Sequence, residues 1–168
     1  MSAGGGGAGK GSLAVTNAGT IVTGDLAAPF AKGDTVVIRD GKIEAIGSGL
    51  DLAGIATRID AAGATVMPGL LDNHVHPVVG DFTPRQNQMD WIDSNMHGGV
   101  TTMLSAGEPH TPGRPTDPVG VKALTILAAK SFANLRPAGV KVHAGAVMLE
   151  DGLTEADFRE MADAGVRL

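Results

Sequence analysis

Short apolar runs of two-residue period fill the first third of the chain, and longer runs of helical period fill the rest. Leu13 to Thr23, "LAVTNAGTIVT", holds two β-type runs on either side of Asn17-Ala18-Gly19. In "DTVVIRDGKIEAIG", Asp34 to Gly47, two β-branched runs flank Asp40-Gly41. Asp-Gly between such runs predicts a two-residue hairpin, because that turn needs positive φ at both positions. "TRIDAAGATVMPG" adds a strand, a glycine turn and a further strand. The expectation is a small antiparallel β domain over 13–65, after a disordered Gly-rich tail over 1–12.

The period changes after Pro77. Thr83-Pro84 has the form of a helix N-cap with proline in the first turn. Met89, Ile92 and Met96 recur at helical spacing, and Gly98-Gly99 ends that run. "VTTMLSAG", Val100 to Gly107, reads as a strand. Val121, Leu124, Ala128 and Leu135 mark a second helix, stopped by Pro137 and Gly139. "VKVHAGAVML", Val140 to Leu149, predicts a third strand. "LTEADFREMADAG" predicts a third helix, capped by Thr154 with Asp157 at the capping-box position and ended by Gly165. Val166 opens another apolar run. Strand–helix alternation of this length predicts an α/β fold with a parallel sheet. The predicted strands begin near Val66, Val100, Val140 and Val166. A closed barrel of eight such units takes ~250 residues. Residues 66–168 therefore accommodate the first three βα units of a partial (β/α)8 TIM barrel, cut at the start of a fourth strand.

Composition removes several function classes. The 168 residues include 43% hydrophobic side chains, enough for a buried core. The net charge is −5, with basic residues scattered, which argues against a nucleic-acid surface. No apolar run approaches the ~20 residues of a membrane span, and no secretory signal is recognisable, so a cytoplasmic location is expected. The absence of cysteine excludes thiolate metal sites. Any metal would be held by His, Asp, Glu or a modified Lys.

Two of the five histidines stand one residue apart in "MPGLLDNHVHP", Met67 to Pro77. On a regular strand Asp72, His74 and His76 share one face, and Leu71, Asn73 and Val75 the other. In a parallel barrel His74 and His76 would point inward at the carboxyl end of strand one, where barrel active sites are built. Two imidazoles so placed can converge on one cation, at metal–nitrogen distances of ~2.1 Å. Asp72 either fixes the tautomer of a ligand histidine or hydrogen-bonds within the barrel floor. A bare His-x-His is also compatible with solvated or core-satisfied side chains. The preceding Pro-Gly, the phased aspartate and the βα series that follows favour a metal site. His110 and Arg114, in the loop after strand two, and His143, in strand three, are candidate substrate contacts. Each also has an ordinary alternative, as a loop residue or a strand histidine satisfied by a neighbour. His97, at a helix end, suits the negative pole of the helix dipole.

"VMPGLLDNHVH" resembles the first-strand signature of the metal-dependent amidohydrolases. "NAGTIVTG", "VVIRDGKIEAIG" and "IDAAGATVMPG" are similar to that family's N-terminal β-sandwich segment, and "HGGVTTMLSAG" to its second strand. "GDFTPRQNQMDWI" and "KSFANLRPAGVKVHAGAV" resemble members that open cyclic amides. The resemblance covers nearly everything after the Gly-rich tail. It implies that His74 and His76 bind one ion of a binuclear centre holding zinc, or else iron or manganese. It implies hydrolysis of a non-peptide C–N bond in a small-molecule substrate, by attack of a metal-bound hydroxide. The bridging carboxylate or carboxylated lysine, further histidines and the general acid–base aspartate are expected beyond Leu168. This chain is thus expected to be inactive alone and its parent homo-oligomeric. Alternatives on the same scaffold are dihydropyrimidinase-, imidazolonepropionase- and deaminase-like enzymes. A further alternative is a non-catalytic fragment or pseudoenzyme that self-associates.

Overall fold

The computed structural model describes residues 11–77, 88–107 and 113–168. The expected Thr83-Pro84 cap lies outside them. The chain divides into two compact units, Met1–Pro68 and Gly69–Leu168.

The first unit contains β1 (Ser12–Thr16), β2 (Thr20–Val22), β3 (Phe30–Ala31), β4 (Thr35–Arg39), β5 (Lys42–Gly47), β6 (Thr57–Asp60) and β7 (Thr65–Val66). They form a four-stranded sheet, order β5-β4-β1-β6, and a three-stranded sheet, order β3-β2-β7. The β4–β5 hairpin turns on Asp40 and Gly41, at φ 50° and 75°, as Asp-Gly predicts. The purely antiparallel expectation is corrected. β1 runs parallel to β6, pairing Leu13 with Thr57, and β2 runs parallel to β7, pairing Thr20 with Thr65. Apolar alternation reports that a segment is extended but not its direction. Direction was legible only where a two-residue connection forces a hairpin. Asn17, at φ 57°, carries the chain from one sheet to the other, and its side-chain amide donates to Asp60 at 3.0 Å. Val36 and Val37 are both buried, in separate clusters: Val36 with Ala18 and Ile21, Val37 with Ala14 and Ile55. β4 therefore has apolar cover on both faces, which explains its unbroken "VVI".

The second unit contains β8 (Leu70–Val75), α1 (Gln88–His97), β9 (Val100–Ser105), α2 (Pro118–Asn134), a 3-10 turn (Pro137–Gly139), β10 (Lys141–His143) and α3 (Glu155–Asp163). Its three strands are parallel, in the order β10-β9-β8, so the mixed α/β expectation holds. One face of the sheet is covered by helices. Val75, Met103 and Val142, one from each strand, cluster with Ile92 of α1 and Ala128 and Phe132 of α2. α1 ends at the predicted glycines, where Gly99 takes φ 95° and donates to the Met96 carbonyl at 2.8 Å. α2 starts earlier than its apolar stripe suggests. Asp117 caps it by accepting the Gly120 N–H at 2.9 Å, and Pro118 occupies the first turn. Its buried face is Val121, Thr125, Ala128 and Phe132, whereas Leu135 lies at the C-cap. The third strand is much shorter than Val140–Leu149. Pairing with β9 stops at His143, and Gly145 turns the chain at φ 85°. At the far end Val166 is buried, and Val147 N–H points to the Leu168 carbonyl at 3.4 Å.

α3 starts as predicted: the Asp157 carboxylate accepts the Thr154 N–H at 2.8 Å and its hydroxyl at 2.7 Å. Lys122 of α2 reaches Asp157 at 2.8 Å and Glu160 at 2.6 Å, joining the two helices. The hydrogen bond from Lys122, with those from Thr154, holds the Asp157 carboxyl well below its ordinary value of 3.8. Asp157 and Glu160 in turn raise Lys122 above its ordinary 10.5. The folded state thus binds fewer protons than the unfolded state at low pH and more at high pH. The link is fully present between these ordinary values. It is lost as the pH falls below about 4 and as it rises past about 10.5. Lys122→Met should flatten both limbs of a plot of melting temperature against pH; parallel curves for variant and parent would refute the link.

Candidate metal centre

Val75 is buried against the helices, so alternation puts its exposed neighbours His74 and His76 on the face that no helix among the described residues covers. Their ring centres lie 5.2 Å apart, with the planes at 86°. Nitrogens ~2.1 Å from a shared ion, at a roughly tetrahedral angle, put ring centres about 5 Å apart. The pair therefore has the spacing of two ligands to one cation.

His76 Nδ1 lies 3.1 Å from the carbonyl oxygen of Gly107. A carbonyl only accepts, so this bond requires the proton on Nδ1. In the neutral ring the lone pair is then on Nε2, the nitrogen for a metal. A second bond holds the same strand ends: Ala106 N–H donates to the Val75 carbonyl at 2.8 Å.

The phase expected for Asp72 is interrupted. Leu70 pairs with Val100 and Val75 with Ser105, but between them Leu71 pairs with Thr102 and Asp72 with Met103. Two opposite slips of register displace Leu71 and Asp72 by one position. Asp72 comes opposite Met103 rather than Thr102, and its Oδ1 accepts the backbone N–H of His74 at 3.0 Å. This Asx-type bond competes with a regular ladder, which is why alternation fails here. Asp72 holds the His74 main chain, while the bond to an imidazole nitrogen comes from Gly107. Gly107 has no side chain to mark its role. Its signal was a strand ending in Ser-Ala-Gly directly across from the histidines.

Arg114 forms an ion pair with Glu150 at 2.5 Å, both side chains about four-fifths covered (21% and 23% exposed). This ties the segment before α2 to the one before α3. Arg114→Gln and Glu150→Gln should each cost ~1 kcal/mol, and the double variant little more than either alone. Additive losses in urea unfolding would show the pair to be uncoupled. His143 is exposed on β10, opposite Leu104. It lines a cavity of about 200 Å³ with Phe132, Ala133, Arg136, Lys141 and Val142. His97 is the last residue of α1. His110 lies outside the described residues. Among the described residues no cluster of three or more His, Asp or Glu side chains gathers around one point. A closed zinc site takes at least three protein ligands, so His74 and His76 by themselves do not close one among the described residues. No helix among the described residues is long and apolar enough to cross a membrane.

No family model matches the chain. It is 61% identical over 155 residues to enamidase of Eubacterium barkeri, covering 90% of this chain and 40% of that protein. It is 33% identical over 105 residues to imidazolonepropionase of Mycolicibacterium smegmatis, covering 56% of this chain and 26% of that protein. A solved structure of enamidase, a member of the amidohydrolase superfamily, matches with a TM-score of 0.86 and 56% identity, over 94% of this chain and 41% of that one. The chain spans about 40% of the length of the enamidase it matches. With this identity and structural agreement, the chain belongs to the amidohydrolase superfamily, as a relative of enamidase.

Proposed function

We infer that this chain supplies the first two metal ligands of an enzyme that hydrolyses a non-peptide C–N bond in a cyclic amide. The observation that carries this reading is the pair of imidazoles 5.2 Å apart at the carboxyl end of β8. It is supported by the 61% identity to enamidase. In this reading β8, β9 and β10 with their helices are the first three units of a (β/α)8 barrel. The small β unit is the N-terminal sandwich segment of such an enzyme. The parallel order and the one-sided helical cover are what such a fragment requires.

His74 and His76 would hold the ion, zinc by default for a nitrogen and oxygen ligand set, with iron or manganese also suited. When bound, the ion polarises the amide carbonyl and lowers the pKa of water. His76 enters with its proton on Nδ1, and Asp72 fixes the backbone that carries His74. His143 is the substrate-contact candidate on the same strand series. Arg114 is engaged by Glu150. The remaining ligands of a binuclear centre, the proton-transfer group and an oligomeric assembly are assigned to a chain of enamidase length, of which this chain spans about 40%. The test is to assay a chain of full enamidase length for metal content and for turnover on simple cyclic amides, hydantoins and imidazolones. Metal-dependent turnover of the cyclic amide supports the reading. Preference for imidazolone would move it to the imidazolonepropionase branch, and turnover unaffected by chelation would end it.

A further inference from the structure

Resting on that reading, we propose that the Ser105-Ala106-Gly107 turn, backed by Met148, is a positioning device for His76. It sets the tautomer and ring rotation of that histidine before any ion arrives. The turn is built from both sides of one residue. Gly107 donates its N–H to the Ser105 hydroxyl at 3.2 Å, and its carbonyl takes the His76 Nδ1 proton at 3.1 Å. Ser105 is buried, only 6% exposed, so its hydroxyl has little water to exchange with. Gly107 sits at φ 139°, a region that L side chains rarely adopt. A methyl group added there would overlap the sulfur of Met148. The conformation favours glycine, and a side chain there would also oblige the Met148 thioether to move.

The physical consequence is preorganisation. A neutral imidazole in water samples two tautomers and several ring rotations. A fixed acceptor on Nδ1 selects one tautomer and presents Nε2 in one direction. Ser105, Gly107 and Met148 act through His76 and touch no reacting atom, so they are positioning residues.

The test uses the ion-free 168-residue chain, with the tautomer read from the ring nitrogen NMR shifts of His76. The parent chain should carry the proton on Nδ1. Gly107→Ala and the milder Ser105→Ala should shift His76 to a mixture of tautomers. Ser105→Thr, which keeps the hydroxyl, should restore the single form. Titration with zinc alone should show affinity falling ~10–100-fold in the first two variants and recovering in the third. A merely structural role would lower the melting temperature of Ser105→Ala and leave the tautomer unchanged, which overturns the proposal. So does a parent chain protonated on Nε2. The metal reading fails separately: if His74→Ala leaves zinc binding unchanged, that reading is lost, while the tautomer result still decides the role of the turn.

Discussion

Replacing His74 and His76 together by alanine in a chain of full enamidase length is expected to lower kcat/KM for the cyclic amide by at least ~10³-fold, about 4 kcal/mol. Metal content should fall in parallel. The loss is one of charge stabilisation. A site that loses two neutral nitrogen donors holds its ion poorly. Without the ion neither carbonyl polarisation nor water activation is available. Loss of the His74 ring alone should matter little for folding. His74 is exposed on the uncovered face of the sheet, so His74→Ala in the 168-residue chain should shift stability by less than ~0.5 kcal/mol. Large loss of turnover with small loss of stability separates a ligand from a structural histidine. Metal content and turnover at parental levels in the double variant would remove the ligand assignment.

Met103→Ala is expected to destabilise the second unit by ~2–5 kcal/mol, and Met103→Leu by less than ~1.5 kcal/mol. Met103 is fully buried in the central strand, between Asp72 and Val142 in the neighbouring strands, and clusters with residues of α1 and α2. Truncation leaves a cavity that three strands and two helices would have to close together. The chain has a single tryptophan, Trp91 of α1, whose fluorescence reports on this unit during urea unfolding. A midpoint unchanged by Met103→Ala would show that the helices do not draw their stability from this face.

Strand and helix positions in the second unit were legible because their signals are local. Ile92 and Met96 followed by Gly98-Gly99, and Thr154 with Asp157, each specify an element from a few adjacent residues. The limits of α2 and β10 were less legible. Asp117-Pro118 is a start signal lying ahead of the apolar stripe. Gly145 lies inside an apolar run that has strand composition, but whose pairing with β9 ends at His143. In the first unit, strand direction depended on long connections that apolar alternation cannot report. The His-x-His pair was legible from alternation, since His74, Val75 and His76 obey it. The position of Asp72 was not, because it depends on a side-chain bond to the backbone of His74. The carbonyl that orients His76 was hidden for another reason. Main-chain acceptors have no letter in a sequence, and Gly107 is brought to His76 by the parallel pairing of β8 with β9.

The two opposite slips in β8 cancel, so Leu70 and Val75 keep the same offset from β9. Apart from Asp72 and His74, this short stretch therefore tolerates changes of spelling far better than changes of count. An insertion or deletion between these residues would undo the cancellation. Val75 would swing into the open and both imidazoles under the helices, so homologous genes should keep the length of this stretch constant along with Asp72 and His74, while its other letters drift.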